Sequence, residues 1–179
     1  DTGEEDARRR RDLLTVQSRA LWYDRALYRG RIMSNDENSY QIRWAGVEDW
    51  TPAMNMIWKT FLKFEGNEYT PEGIRNFLDF ITDEELFHSF LQGKYLMLVA
   101  VDKDQVIGAA SVRDGNHLSL LFVDERYHRQ GVGRNLMTQL CEFLKNEAGE
   151  EDMTLKAAPY AVAFYRRIGF WATGPEEHY

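Results

Sequence analysis

Two glycines, Gly131 and Gly133, lie where an apolar strand gives way to a long amphipathic helix. The first amides of a helix have no acceptor within the helix and carry a partial positive charge, and glycine lets the backbone approach an anion closely. The spacing therefore predicts a cradle for a phosphate group. A tight strand-to-helix turn that needs glycine only for its dihedral angles would use the same residues, so the pair alone leaves both interpretations open.

Two common phosphate-binding motifs do not fit this segment. A dinucleotide fingerprint requires a third glycine at the position of Leu136. A Walker loop requires a Gly-Lys-Ser or Gly-Lys-Thr ending, which the segment lacks. A phosphate cradle at this position must therefore belong to another class of protein.

The segment resembles the GCN5-related N-acetyltransferase (GNAT) family, whose signature after the fourth strand is Gln/Arg-x-x-Gly-x-Gly/Ala. Residues 128–133 read HRQGVG, so both glycines fit and His128 stands in place of Gln or Arg. A second match follows at residues 161–170, which read AVAFYRRIGF and are similar to the family's Ala-x-x-x-Tyr-x-x-x-Gly-Phe block. Together the two motifs identify residues 40–179 as a GNAT-like domain.

This resemblance implies an acyltransferase that moves an acetyl group from acetyl-CoA, its cosubstrate, directly to a primary amine of a small molecule or peptide, without an acyl-enzyme. A non-catalytic sensor or interaction module that binds coenzyme A or acetyl-CoA is the alternative. Two departures favour that alternative, namely His128 and Ala158, since many members carry Asn at the second of these positions. Turnover with a panel of amines would distinguish the two functions.

Transfer to an amine requires a base, because an alkylammonium with a pKa near 10 cannot attack while protonated. His117 takes the strand position, six residues before Val123, at which histone-type members carry a glutamate base. A hydrogen-bonded histidine at the end of a strand is the alternative interpretation of His117. Glu65, in the loop after the first helix of the domain, is the second candidate, either as the base or as a partner of the substrate ammonium.

The departing thiolate requires a proton, and Tyr165 matches the family's acid tyrosine. A tyrosine packed in the core is the alternative interpretation. The backbone N–H of Val123 is predicted to hold the thioester oxygen where the strand splays, and the amides around the glycines to bind the pyrophosphate. The predicted acetyl-CoA contacts are Phe122, Val123, Arg129, Gln130, Gly131, Val132, Gly133 and Arg134.

Apolar periodicity places both motifs in an α/β (α+β) domain with a mixed, mainly antiparallel sheet and helices on both faces. Three helices with capping residues at Asp49 or Thr51, at Thr70 and at Thr82 precede the strong strands. The predicted strands cover residues 40–44, 95–101, 106–112, 117–123, 154–157 and a last one from residue 170, and two later helices cover residues 131–148 and 160–168.

Residues 1–39 are predicted to form an appended helix and linker, separate from the domain at residues 40–179. Their apolar positions fit one helical stripe that ends in the polar run at residues 34–39. We also expect the domain to lack the strand that usually follows the Gly-Phe block, because the sequence ends at Tyr179. The stripe consists of Leu13, Leu14, Leu21, Leu27 and Tyr28.

The composition bears on whether the protein binds nucleic acid or a membrane, and on its cellular location. A formal net charge of −7 disfavours nucleic acid, which requires a surplus of Lys and Arg. The one cysteine, Cys141, cannot form an internal disulfide. No apolar run is long enough to span a bilayer, and no signal-peptide pattern opens the sequence. We therefore expect a cytoplasmic protein without membrane contact. His88, His128 and His178 lack metal-ligand spacing, so no metal site is predicted. These features are compatible with a homodimer.

Overall fold

The computed structural model describes residues 14–17, 39–157 and 161–172, whose strands form one sheet. The strands are β1 (Leu14–Gln17), β2 (Gln41–Trp44), β3 (Leu96–Asp102), β4 (Gln105–Arg113), β5 (His117–Val123), β6 (Thr154–Ala157) and β7 (Trp171–Ala172). They lie in the order β2-β3-β4-β5-β6-β1-β7, and among the described pairs only β5 and β6 run parallel. The mixed, mainly antiparallel sheet confirms the predicted fold class.

Five α-helices lie in the described ranges, and the first begins after Asp49, one of its two predicted caps. None of these helices combines the length and the apolar character that a bilayer span requires. The helices are α1 (Trp50–Phe64), α2 (Pro71–Ile81), α3 (Glu84–Leu91), α4 (Val132–Asn146) and α5 (Val162–Arg167).

The caps agree with the sequence-based prediction at α2 and differ from it at α3. The Thr70 hydroxyl accepts a hydrogen bond from Gly73 N at 2.9 Å, as predicted. The capping box predicted at Thr82 is wrong, because Asp83 caps α3 by accepting from Glu85 N at 3.0 Å. The hydroxyl of Thr82 instead donates to a carbonyl of the last turn of α2, so this residue ends one helix rather than starting the next.

Alternate residues of β3 face two separate hydrophobic cores. Met97 and Val99 belong to the core that packs against α1, α2 and α3. Leu98 and Ala100 belong to the core that packs against α4 and α5. Since successive side chains of a strand point to opposite faces of its sheet, helices cover both faces, as the sequence predicts.

The helix predicted within residues 1–39 is wrong at Leu14–Gln17, which form β1 and pair antiparallel with both β6 and β7. These four residues alternate apolar and polar side chains, as a strand does, and β6 offers them an edge to pair with. Residues 1–13 and 18–38 lie outside the described residues, so the domain boundary at residue 40 stays a prediction. Ala158 and the segment 173–179, where a last strand was in question, also lie outside them.

Candidate active site

The second half of β5 borders a gap in the sheet. Its described pairing with β6 ends at Leu118, although β5 continues to Val123. On the other side, Asp124 donates its backbone N–H to Ile107 O at 2.8 Å. Because paired and unpaired residues alternate along an antiparallel strand, the N–H and C=O of Val123 both point away from β4 and toward the gap.

The start of α4 has the geometry that a phosphate cradle requires. Its N-cap is Gly131, whose φ of 79° is left-handed and suits glycine. The first intrahelical hydrogen bond runs from Asn135 N to Gly131 O at 2.9 Å, so the amides of residues 131–134 have no acceptor within the helix. A Cβ atom added at Gly131 would meet no atom within 4 Å, so the space beside these amides is open to a ligand.

Gly133 joins the cradle to two neighbouring elements. A Cβ atom at this position would lie 3.4 Å from the ring of Phe164 on α5 and 3.6 Å from the side chain of Val123. The absence of a side chain therefore lets the first turn of α4 approach both the end of β5 and α5. The cradle consequently lies beside both Val123 and the second sequence motif, which includes Phe164.

Glu65, Glu68 and Tyr69 form an acidic cluster directly after α1, around the short 3-10 helix Gly66–Glu68. Burial, and then the charge of Glu68, raise the pKa of Glu65 to about 7. Burial and the charges of both carboxylates also raise the pKa of Tyr69. The Oε2 atom of Glu68 is buried and has no hydrogen-bond partner within the described residues. Such a cluster is complementary to a cation, because a positive charge would compensate the buried carboxylates.

Tyr165 is buried on α5. Its ring packs edge-on against Phe164 and Phe170, with centroid distances of 5.3 and 5.6 Å. Burial, and then the charge of Glu65, raise the pKa of the Tyr165 phenol. Glu65 is thus near enough to Tyr165 for its charge to act on the phenol. A phenol with a raised pKa keeps its proton at neutral pH, as a general acid must.

Side chains from the end of α1 contact the turn between β5 and α4. The ring of Phe64 lies 4.9 Å from that of His128, and Lys63 forms an ion pair with Glu125. These contacts place the acidic cluster, which begins at Glu65, beside the turn that leads into the cradle. The base candidate and the phosphate cradle thus belong to one site.

His117 lies elsewhere, at the first residue of β5. Its Nδ1 atom is 2.8 Å from the hydroxyl of Thr154, and burial, followed by the charges of Arg113 and Lys156, lowers its pKa. At about 3.3 Å per residue, roughly 20 Å of strand separate it from Val123. No described contact joins it to Glu65 or Tyr165. The structure therefore favours the hydrogen-bonded strand-end histidine over the base.

The other predicted acetyl-CoA contacts have differing environments. Phe122 is half-buried, and its ring lies 5.9 Å from that of Phe77 on the α2 side of the sheet. Arg129 and Gln130 are exposed, and Arg129 has a left-handed backbone with φ of 62°. Arg134 is partly exposed in the first turn of α4. These positions leave both arginine side chains accessible to an anion at the cradle.

Two residues of the site were not predicted from the sequence. Glu68 belongs to no recognised motif, and its one signal is its position three residues after Glu65 in the run EGNE. His128 was noted only as a departure from the family signature, yet its Nε2 atom lies 2.6 Å from the carbonyl oxygen of Val123. Both become visible only when the chain is folded.

Comparison with known families agrees with this geometry. The family described as the acetyltransferase (GNAT) domain matches residues 65–178, which is more than half of the 179 residues. The chain belongs to the GNAT family. The GNAT match begins at Glu65 and includes the cradle and Tyr165, so the site described above lies within the GNAT domain. The resemblance given by the two sequence motifs is thereby confirmed.

Curated relatives of this GNAT protein include two bacterial enzymes. The peptidyl-lysine N-acetyltransferase YjaB of Salmonella typhimurium is 31% identical over 97 residues, which cover 52% of this chain and 62% of the relative. The Escherichia coli enzyme of the same name is 31% identical over 100 residues and is covered to 61%. This chain thus matches about three fifths of the length of each.

Solved structures share the GNAT fold. A GCN5-related N-acetyltransferase from Rhodopseudomonas palustris superposes with a TM-score of 0.62 at 22% identity, covering 73% of this chain and 80% of that one. The PaiA N-acetyltransferase from Thermoplasma acidophilum, in complex with coenzyme A, gives a TM-score of 0.55 at 18% identity over 62% of this chain and 75% of that one. At these identities the likeness shows the fold alone.

Proposed function

We propose that the protein is an acetyl-CoA-dependent N-acetyltransferase whose acceptor is a cationic primary amine. The observation that carries this proposal is the placement of Glu65, whose charge acts on the Tyr165 phenol, beside the turn that leads into α4. One side chain has a pKa of about 7 and can accept a proton, and the other has a raised pKa and can donate one. The family and the open space at Gly131 support acetyl-CoA as the cosubstrate.

The proposed reaction is a direct transfer. The amine nitrogen attacks the thioester carbonyl carbon, a carbon–nitrogen bond forms and the carbon–sulfur bond breaks. Glu65 accepts one proton from the bound ammonium and so frees the amine nitrogen to attack. Tyr165 donates a proton to the departing sulfur, and the nitrogen releases its second proton to solvent as the amide forms. The Val123 N–H, which points into the gap beside β5, donates to the carbonyl oxygen as negative charge develops there. Proton exchange with solvent then restores Glu65 and Tyr165.

The acidic cluster supports a cationic acceptor. Glu68 Oε2 is buried without a hydrogen-bond partner in the described part of the chain, so an ammonium group would supply the missing partner. A lysine side chain or a small alkylamine supplies both the donor and a compensating positive charge, whereas an alcohol supplies only the donor. The name of the YjaB relatives, peptidyl-lysine N-acetyltransferases, agrees with the first of these acceptors. Cytoplasmic location and homodimer formation remain predictions from the sequence.

Release of free thiol from acetyl-CoA, measured with lysine peptides and alkylamines, tests the proposed function. We expect turnover with several amines and no turnover with hydroxyl analogues of the same length. Acetylation of the amine is verified by mass spectrometry. Thermal stabilisation by acetyl-CoA without turnover on any amine would instead identify the non-catalytic sensor.

Gly131→Asp is expected to raise the Kd for acetyl-CoA at least about tenfold relative to Gly131→Asn, because a carboxylate in the cradle repels the pyrophosphate. Both side chains tolerate a left-handed backbone better than most others, and both would extend into open space, so the pair isolates the charge. Calorimetric titration of the two variants measures the difference. Equal affinities in two folded variants would contradict the cradle.

A further inference from the structure

His128 occupies the first position of the GNAT signature but turns back toward the end of β5. Its Nε2 atom lies 2.6 Å from Val123 O, and a carbonyl oxygen can only accept a hydrogen bond. Nε2 therefore carries the proton and donates it. The imidazole thus bonds to the protein backbone at the position where the family signature has Gln or Arg.

The hydrogen bond from His128 holds the Val123 carbonyl on the gap side of β5. The next residue, Asp124, donates its backbone N–H across to Ile107 O on β4. Since paired and unpaired residues alternate along the strand, the N–H and C=O of Val123 both point away from β4. The carbonyl belongs to the peptide unit that follows the Cα of Val123, and the N–H belongs to the unit that precedes it. Holding the carbonyl from the gap side restrains the first unit directly and, through the shared Cα, limits how far the strand end that presents the N–H can twist. No bond to β6 is described at this position, so the side chain of His128 supplies the constraint that a neighbouring strand would otherwise give.

The same ring also contacts the acceptor side of the site. It lies 4.9 Å from the ring of Phe64, with 49° between the planes, and Phe64 immediately precedes Glu65. His128 is therefore in contact with the strand end that faces the cradle and with the helix end that carries the acidic cluster. Its two functions, a donated hydrogen bond and a ring contact, can be separated by substitution.

We propose that His128 is a positioning residue that aims the Val123 N–H at the oxygen of the acetyl thioester. This inference rests on the proposed acetyl transfer, since the amide acts when charge develops on that oxygen. In this role His128 acts through the Val123 backbone rather than by contact with cosubstrate or acceptor. Its hydrogen bond limits the motion of the backbone at Val123, where β5 has no described pairing with β6.

Two variants test this role in the full chain. His128→Phe keeps a ring against Phe64 and removes the donor, so we expect kcat to fall about tenfold, with the Kd for acetyl-CoA changed by less than about twofold. His128→Gln restores an N–H donor at similar reach without the ring and is expected to retain most of kcat. The amide resonance of Val123 in a ¹H–¹⁵N spectrum should shift or broaden in the first variant and return toward its original position in the second.

The outcomes separate this inference from the proposed function. If both variants lose kcat equally, or if His128→Phe loses affinity for acetyl-CoA, then the ring or a ligand contact matters and the positioning role is overturned. An unchanged Val123 resonance in folded His128→Phe also overturns it. If the unmodified protein transfers acetyl to no amine, the proposed function fails, while the amide resonance still shows whether His128 orients Val123.

Discussion

Glu65→Gln is expected to lower kcat/KM for a primary amine by about 100- to 1000-fold. Glutamine keeps the size of the side chain but cannot accept the proton that the attacking amine must lose. Initial rates of thiol release over a range of amine concentrations measure the loss. Glu147→Gln is the matched control, because it removes one exposed carboxylate at the far end of α4 and should leave the rate unchanged.

The pH profile provides an independent check on Glu65. With a pKa of about 7, Glu65 is neutral in acid and ionised above neutrality. Since a base must be ionised to accept a proton, kcat/KM should rise with pH and level off above this pKa. The rise should disappear in Glu65→Gln. A variant that keeps the rise, or that retains kcat/KM near the original value, would assign the base to another group.

Tyr165→Phe is expected to lower kcat by about 10- to 1000-fold with little change in the Kd for acetyl-CoA. Phenylalanine preserves the packing against Phe164 and Phe170 and removes only the hydroxyl that protonates the sulfur. Because the pKa of Tyr165 is raised, the original enzyme should keep its activity until the pH exceeds about 10. Rates must be taken where chemistry is limiting, as a kinetic burst or its absence reveals.

Tyr95→Phe is the matched control for this experiment. Tyr95 is also buried with a raised pKa, but its hydroxyl lies 2.7 Å from the hydroxyl of Ser111 in the core between α1 and the sheet. A loss of kcat confined to Tyr165→Phe therefore identifies a chemical role. Full turnover in folded Tyr165→Phe would leave that tyrosine as packing and require another proton donor.

Local patterns were sufficient for most of the elements. β5 and β6 were predicted at their observed bounds, because turn residues precede the largely apolar β5 and because polar and apolar residues alternate in β6. The start of α3 was misplaced by one residue, because Thr82 and Asp83 are both good caps and only the folded chain shows which hydroxyl or carboxylate is already used. The strand at Leu14–Gln17 escaped prediction because its partner, β6, is far away in the sequence.

The candidate site also contains residues that local sequence patterns indicate and residues that only distant contacts reveal. Motif spacing was sufficient to propose the cradle and Tyr165, since these depend on residues adjacent in the sequence. The choice between His117 and Glu65 depends on neighbours that are distant in the sequence, Thr154 for the first and Tyr165 for the second. Periodicity carries no information about such contacts. The hydrogen bond from His128 to Val123 is closer in sequence, but it requires the observed turn into α4.

The two cores on opposite faces of the sheet affect how this protein can evolve. Residues that pack α1, α2 and α3 against the sheet share almost no neighbours with those that pack α4, because the backbone of β3 and β4 stands between them. Substitutions on the two faces should therefore combine additively. Under the proposed function, substitutions on the first face are expected to alter which amine is accepted without changing the packing beside the cradle.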